Sequence, residues 1–287
     1  MRTIKSPSGR SIQKIRFTPH SQLFLLDDQG ELTLWDLETH ELVWQFRASV
    51  LMFTLSPDGR MLGTVEGDLT QLWNIASRRL HENRPARDHR HPTALRLLND
   101  YHFIVVRWPF SDEPNGVVAL HAPFIPLRGS LFSPDGRWLT VLHGKTIQTI
   151  EFAVLRECSL NGRWGNWNSW SIHCPANSLA YSADSRWLVV GVGRSATIID
   201  LDNPTAPVRS LSSHKRTVRG MTFTPDSRYL LTASVDHRVK VWDLETDQER
   251  CDFWWRVGKL SDVQMSPDGM LVAAIADDEV VLWDWDG

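Results

Sequence analysis

Residues 214 to 243, HKRTVRGMTFTPDSRYLLTASVDHRVKVWD, contain the pattern that decides the fold. Within them, RYLLTASV (228 to 235) and the start of RVKVWDL (238 to 244) are short segments with apolar runs or a period of two. Such segments predict short β-strands rather than helices. The preceding TPDS (224 to 227) predicts a tight turn, because proline presets φ and aspartate hydrogen bonds to its own backbone.

The same turn recurs along the whole chain. An apolar residue followed by a Ser/Thr-Pro-Asp-Gly-like turn occurs at Phe17, Leu55, Phe132, Tyr181, Phe223 and Met265, with a weaker copy at Leu97. A second mark follows 18 or 19 residues later, at Trp35-Asp36, Trp73-Asn74, Ile150-Glu151, Ile199-Asp200, Trp242-Asp243 and Trp283-Asp284. Seven units of about 41 residues fill the 287 positions. Four short strands per unit indicate sheets packed face to face around an axis.

This repeat resembles the WD40 repeat family across essentially the whole chain. The resemblance implies an all-β fold, a seven-bladed β-propeller of four-stranded antiparallel blades. In the sixth unit it also implies a buried hydrogen-bonded tetrad of His214, Thr232, Asp236 and Trp242. Other units lack the histidine, and isoleucine replaces the tryptophan in two of them, so packing must hold those blades.

The two ends of the sequence predict how the ring closes. The last unit stops four residues after Trp283, so it lacks an outer strand, and residues 1 to 5 have no other place in the repeat. We expect residues 1 to 5 to be the outer strand of the seventh blade, which makes residues 1 to 287 a single domain. The third unit is irregular, with 12 residues between Leu120 and Phe132. Six blades and an irregular segment are the alternative.

Composition limits the classes of function. The 31 Lys and Arg residues nearly balance the 34 Asp and Glu residues, so any nucleic-acid binding must be local. The three cysteines lie far apart, which weighs against a disulfide framework or a structural zinc site. No signal peptide and no run of 18 apolar residues is visible. We therefore expect a cytoplasmic protein without a membrane span.

Two patterns imitate catalytic or cofactor sites. Residues 191 to 196, GVGRSA, match a dinucleotide-binding fingerprint, but a strand-like TIIDL follows instead of a helix, so a hairpin turn is expected. Aspartates recur at one turn position in four separate units, as Asp58, Asp135, Asp226 and Asp268. Turn formation explains this recurrence. We find no motif that joins a nucleophile to its base, and we expect a non-enzymatic protein with no cofactor or metal.

Three insertions carry the candidate binding residues. The basic stretch at 78 to 92 contains three histidines and Asp88, so the open interpretations are a metal site, a patch for an anion or acidic partner, and a solvated loop. The stretch at 107 to 116 and the tryptophan-rich stretch at 163 to 171 offer aromatic anchors. The candidate residues are Arg84, Arg87, Arg90, Trp108, Phe110, Trp164, Trp167 and Trp170.

A propeller has two faces. The first face carries the turns between strands one and two and between strands three and four of each blade. The second face carries the turns between strands two and three and the connections from one blade to the next. Residues 84 to 93 and 161 to 171 are predicted as blade-to-blade connections, and 107 to 116 as a two-to-three turn. All three insertions are therefore expected on the second face, with Trp254-Trp255-Arg256 as a further contributor.

The sequence thus predicts an interaction module that binds a protein or peptide, including an acidic one, on the second face. Two alternatives remain. The first is a propeller enzyme or small-ligand binder that uses the central channel, where Arg16, Thr222 and Gln264, together with Arg219, are expected without convergent histidines or carboxylates. The second is a nucleic-acid binder that uses the basic stretch at 78 to 92.

Overall fold

The strands are the only regular structure in the described part of the chain. The computed structural model describes residues 1–46, 49–56, 58–66, 69–85, 92–99, 102–107, 129–143, 146–151, 168–171, 176–254 and 257–285. These residues form 26 β-strands and no helix. The all-β class that the repeat predicts is confirmed.

The strands form antiparallel sheets in the order in which they occur along the chain. After β1 (Arg2–Lys5), sheet 1 contains β2 (Ile12–Phe17), β3 (Gln22–Asp27), β4 (Leu32–Asp36) and β5 (Leu42–Phe46). Sheet 2 contains β6 (Val50–Leu55), β7 (Met61–Glu66), β8 (Leu69–Asn74) and β9 (Arg79–Pro85). Sheet 3 has two described strands, β10 (Pro92–Asn99) and β11 (His102–Arg107).

The second half of the chain repeats the four-stranded plan. Sheet 4 contains β12 (Gly129–Phe132), β13 (Trp138–His143), β14 (Thr146–Glu151) and β15 (Asn168–Ser171). Sheet 5 contains β16 (Ala176–Tyr181), β17 (Trp187–Val192), β18 (Ser195–Asp200) and β19 (Arg209–Ser212). Sheet 6 contains β20 (Val218–Phe223), β21 (Tyr229–Ser234), β22 (Arg238–Asp243) and β23 (Gln248–Trp254). Sheet 7 contains β24 (Leu260–Met265), β25 (Leu271–Ala276), β26 (Glu279–Asp284) and β1.

Neighbouring sheets pack face to face, which explains why the second strand of a sheet is buried on both sides. All six residues of β21 are buried, and so are five of the six in β25. The core between sheets 6 and 7 combines Leu231, Val241 and Val263. A sheet covered on both faces needs apolar residues at successive positions, as the runs in these strands show.

Backbone hydrogen bonds of one kind join three pairs of neighbouring sheets on the second face. The amide of Val50 donates to the carbonyl of Gly30 in the two-to-three turn of sheet 1, at 2.9 Å. Val218 donates in the same way to Gly193 of sheet 5, at 2.8 Å. Ile12 donates to Asp277 of sheet 7, also at 2.8 Å. These bonds fix the start of each of these innermost strands against the preceding sheet.

The N-terminal strand closes the ring. In β1, Ile4 lies opposite Val280 and Thr3 opposite Val281 of β26. Ile4 is 4% exposed and lies in the core shared by sheets 7 and 1. The predicted pairing of the N-terminal strand with the last sheet is confirmed.

The one-to-two turns on the first face contain the recurring aspartates. Ser266 Oγ donates to Asp268 Oδ1 at 2.5 Å, and the amide of Met270 donates to the same oxygen at 3.0 Å. Neighbouring turns are also linked, since the Asp135 amide donates to Ser185 Oγ at 3.1 Å. These contacts give the aspartates the structural role that the sequence predicts.

The outer strand of sheet 4 differs from the sequence prediction. Trp170 lies in β15 opposite Ile147, and not in a connection between blades. The positions seven, nine and eleven residues after Ile150 are Glu157, Ser159 and Asn161, which are polar and make a poor strand. The described outer strand of sheet 4 is therefore β15, which begins at Asn168, 17 residues after the end of β14 at Glu151.

We predict that Gly220→Ala destabilises the fold strongly. A Cβ atom at Gly220 would lie 2.4 Å from Asp262 Cα and 2.6 Å from Val263 N, so the backbones of β20 and β24 must separate. We expect the free energy of unfolding to fall by about 3 kcal/mol. Denaturant titration measures this loss.

Gly9→Ala is the matched control. Gly9 also lacks a side chain, but a Cβ there meets nothing within 4 Å, and only its φ of +65° is unfavourable for alanine. Gly9→Ala should lower the free energy of unfolding by about 1 kcal/mol. An equal cost for both variants would show that close packing of β20 on β24 is not what requires Gly220.

Candidate functional site

The tetrad named from the sequence is hydrogen bonded as a unit in sheet 6. His214 Nδ1 lies 3.0 Å from Asp236 Oδ2, and His214 Nε2 lies 2.8 Å from Thr232 Oγ1. Trp242 Nε1 donates to the same hydroxyl at 3.0 Å. His214, Thr232 and Trp242 are at most 5% exposed. The tetrad joins the blade connection before β20 to the interior of the sheet, so it stabilises structure rather than binding a ligand.

The protonation states follow from this network. Burial lowers the pKa of His214, although Asp236 acts in the opposite direction. Burial opposes ionisation of Asp236, but the Lys215 amide and His214 outweigh it and hold the pKa of this carboxyl below its usual value. Neutral His214 then donates from Nδ1 to Asp236 and accepts the Thr232 hydroxyl at Nε2, which satisfies all four groups.

Other sheets keep parts of this arrangement. In sheet 2, Trp73 Nε1 donates to Thr64 Oγ1 at 3.0 Å. In sheet 1, Asp27 is 6% exposed and accepts the Ser8 hydroxyl at 3.0 Å, so a serine replaces the histidine. Neither contact was predicted from the sequence, because both units lack the histidine that marks the tetrad.

Most predicted partner-binding residues lie outside the described residues: Arg87, Arg90, Trp108, Phe110, Trp164 and Trp167. Arg84 lies in β9 opposite Thr70, so the blade connection begins later than predicted. His81 also lies in this strand and is exposed, while His89 and His91 are outside the described part.

The prediction that the tryptophan-rich stretch connects two blades is wrong. Trp170 belongs to β15, and β15 pairs with β14. The third strand of sheet 4 ends at Glu151, and the fourth strand begins at Asn168. Both of these positions lie on the first face. By contrast, β9 ends, β10 begins and β11 ends on the second face. The arginine-rich and tryptophan-rich stretches are therefore attached to opposite faces.

The dinucleotide-like sequence forms a hairpin turn. Gly193 has a φ of +59° between β17 and β18, and its carbonyl accepts the Val218 amide. A strand begins at Ser195, where the fingerprint needs the N-terminus of a helix.

A β-bulge recurs at the start of six of the seven described innermost strands. The extra residues are Gln13, Leu51, Thr93, Asn177, Arg219 and Ser261. All of them except Thr93, whose side chain is outside the described part, are exposed. In three of these strands the bulge directly follows the residue that bonds to the preceding second-face turn. These residues, which we call the mouth ring, surround the opening of the central channel on the second face.

The channel wall behind the mouth ring contains Arg16, which the sequence predicts there, and two charged residues that were not predicted, Lys14 and Asp262. Lys14 and Arg16 of β2 and Asp262 of β24 are half-buried between sheets 7, 1 and 2. Asp262 is a single carboxylate beside two cations, so within the described residues it does not form the convergent set of histidines or carboxylates that a catalytic channel needs. Burial is the largest influence on Asp262 and raises its pKa, while Arg16 opposes this shift. The alternation of polar and apolar residues along β24 was the signal that would have placed Asp262 beside Gln264.

An exposed aromatic residue lies at the same face. Trp254 ends β23 opposite Arg238, where β22 starts, and the indole is 56% exposed. The Arg238 guanidinium lies 5.8 Å from the ring centroid. Trp255 and Arg256 are outside the described residues. Within the described part, no group of three or more His, Cys, Asp or Glu residues is arranged to hold a metal ion, and no helix has the length and apolar character of a membrane span.

Fold and site together define a β-propeller whose sheets repeat one turn and one strand pattern, with the complete polar tetrad in sheet 6. Residues 205–243 match the family model "WD domain, G-beta repeat". This match, the WD-repeat relatives and the solved structures described next support a WD40-repeat β-propeller.

Curated relatives and solved structures agree with this assignment. The chain is similar to periodic tryptophan protein 2 of Arabidopsis thaliana, at 24% identity over 89% of this chain and 24% of that protein. It is also similar to the small ribosomal subunit protein RACK1 of Saccharomyces cerevisiae, at 33% identity over 31% of this chain and 28% of that protein. The alignments therefore span about a quarter of the length of these relatives.

Two solved structures share the fold. The Cps50 (Swd1) β-propeller domain of Myceliophteria thermophila superimposes with a TM-score of 0.76 at 16% identity, covering 99% of this chain and 98% of that chain. Kuenenia stuttgartiensis hydrazine synthase superimposes with a TM-score of 0.74 at 17% identity, covering 96% of each chain. One fold therefore serves an enzyme as well as a domain named only as a propeller.

We predict that Thr232→Val lowers the free energy of unfolding by about 3 kcal/mol, because it leaves two buried groups without a partner, His214 Nε2 and Trp242 Nε1. Thr64→Val is the matched control, since it removes only the bond to Trp73 Nε1. The control should cost about 1 kcal/mol. If the two losses measured by denaturant titration are equal, His214 adds nothing to the network.

We further predict a pH dependence that originates at His214. Its pKa in the folded protein lies below the value of about 6.5 for an unfolded chain. The unfolded state therefore binds more protons, and stability falls as pH drops below about 6.5. His214→Gln should flatten the decline in unfolding midpoint between pH 7 and 5, while the exposed His20→Gln should leave it as in the wild type. Identical profiles for all three proteins contradict this origin.

Proposed function

We propose that this protein is a non-enzymatic interaction module that binds a protein or peptide segment on the second face. The mouth ring is the observation that carries the proposal. An exposed residue recurs at the same bulge in neighbouring blades, and these residues differ in chemistry: Gln13, Leu51, Asn177, Arg219 and Ser261. A rigid repeated backbone with varied exposed side chains favours recognition of an extended partner surface.

Two groups of residues extend this surface. Trp254 supplies an exposed aromatic anchor on sheet 6, and Trp is enriched among binding hot spots. The strand ends that flank the insertions after β9 and β11 lie on the second face, so we include Arg84, Arg87, Arg90, Trp108 and Phe110 in the proposed surface. The arginines suit carboxylates, which favours an acidic partner. Trp164, Trp167 and Trp170 are not part of it, because their stretch is attached to the first face.

The relatives support the class of partner. The names of two of them, small ribosomal subunit protein RACK1 and ribosome assembly protein 4, refer to a large assembly. Because identities of 33% and 38% over 31% and 14% of this chain do not transfer a partner, we propose only the class, a protein surface or segment. We also propose that the protein works in the cytoplasm, which the free Cys251 favours.

Variants of the two faces test this proposal. We predict that Leu51→Asp plus Arg219→Glu abolishes capture of the partner proteins that immobilised wild type retains from the native lysate. Both residues are exposed, so stability should stay within about 0.5 kcal/mol of the wild type. Quantitative mass spectrometry of the captured proteins is the measurement.

Met270→Asp plus Arg60→Glu is the matched control on the first face. It makes the same chemical changes at residues that are 63% and 74% exposed. Retention of the captured proteins by this control and their loss from the second-face variant support the proposal. Loss from the first-face variant alone, or equal capture by both, contradicts it. Competition by a polyanion such as heparin would instead favour the nucleic-acid alternative.

A further inference from the structure

Two cationic side chains lie side by side in the channel wall. Lys14 and Arg16 are separated by one residue on β2, so they share one side of the strand, while Ile15 between them is completely buried on the other. Both cations are half-buried and lie on the side that faces sheet 2. The Lys14 ammonium lies 5.6 Å from the centroid of the Phe53 ring.

Neither cation is neutralised by the described residues. Among the described residues, the Arg16 side chain donates one hydrogen bond, from Nη1 to the carbonyl of Ile15 at 3.0 Å, and its other N–H groups are available to a ligand. Neither Lys14 nor Arg16 forms an ion pair with any carboxylate of the described part of the chain. Half-buried cations without a partner are costly, which makes this pair unlike the other arginines of the fold, several of which pair with aspartates.

The opposite charge that acts on both cations is Asp262, whose carboxylate is hydrogen bonded within its own strand. Asp262 Oδ1 accepts the Val263 amide at 2.9 Å and lies 3.4 Å from Gln264 Nε2. It acts on Lys14 and Arg16 through space without forming an ion pair with either. One carboxylate thus faces two cations, and the described wall has an excess of positive charge.

We propose that Lys14 and Arg16 form an anion-binding position in the channel wall that takes an oxyanion, a carboxylate or a phosphate group. The ammonium supplies a point charge, and the planar guanidinium supplies paired donors for two oxygens. Asp262 limits the affinity by repelling the anion.

The protonation of Lys14 supports the proposal and gives it a pH dependence. Burial, with the neighbouring Arg16, lowers the pKa of Lys14 to about 7, although Asp262 opposes the shift. Strand β6 of sheet 2, which lies on the side that Lys14 and Arg16 face, has no titratable residue. Binding an anion favours the charged ammonium, so affinity should fall as pH rises from 6 to 8.

Titration with small anions tests the position without a protein partner. Inorganic phosphate and acetate are titrated by calorimetry at pH 6.5 and constant ionic strength. Arg16→Gln should weaken binding about tenfold or more, because a charge-assisted hydrogen bond is lost. Asp262→Asn should tighten it about threefold or more, because a repelling charge is removed without a change of shape. The exposed pair Arg2→Gln plus Lys5→Gln on β1 is the control and should bind as the wild type does.

The two substitutions are expected to change the affinity for the anion in opposite directions. Weaker binding by Arg16→Gln together with tighter binding by Asp262→Asn supports the position. No binding by wild type, or equal affinity in all variants, overturns it, and the second-face proposal is unaffected. A titration with hexaglutamate distinguishes a peptide carboxylate from a free small anion as the natural ligand. If hexaglutamate binds more tightly than acetate and phosphate, the oxyanion belongs to a peptide; if it binds more weakly than either, the site takes a free small anion.

Discussion

Each sheet of this propeller depends on having a neighbour on both faces, and the ring satisfies that need only when it closes. The four residues of β1 provide the closure. They pair with β26, and Ile4 fills the core between sheets 7 and 1 beside Ile12 and Ile15. Without that strand, β26 would present an open edge and this core would lose a buried isoleucine. The short β1 thus joins the two ends of the chain together with β2, which packs against β24 and β25.

The sequence predicted the fold well because its signals are local. The Ser/Thr-Asp turn and the strand that follows lie within about ten residues, and each unit repeats them. The tetrad of sheet 6 was also accessible, since all four side chains occur at fixed positions of one unit. Where only part of the network exists, as for Thr64 with Trp73 or Ser8 with Asp27, the pattern is incomplete and the contact is visible only in the structure.

The errors share one physical cause, which is that position within a unit does not fix the length of a connection. The tryptophan-rich stretch has the composition of a loop, yet Trp170 pairs with β14. The positions seven, nine and eleven residues after Ile150, where the repeat predicts the apolar residues of an outer strand, are polar. The bulges escaped prediction for a related reason. An extra residue such as Arg219 does not disturb the spacing of the repeat, because the strand absorbs it by losing one pairing.

The bulges determine what kind of site this propeller offers. On β2, the bulged Gln13 lies at the mouth of the channel, and Lys14 and Arg16 follow it into the wall. Successive strand residues rise by about 3.3 Å, so the mouth ring and the proposed anion position lie within the reach of one extended peptide segment. A chain lying across the exposed ring therefore needs only one acidic side chain pointing inward to contact the cationic pair. The structural similarity to an enzyme does not change this argument, because the fold supplies the channel and the side chains of each sequence decide what enters it.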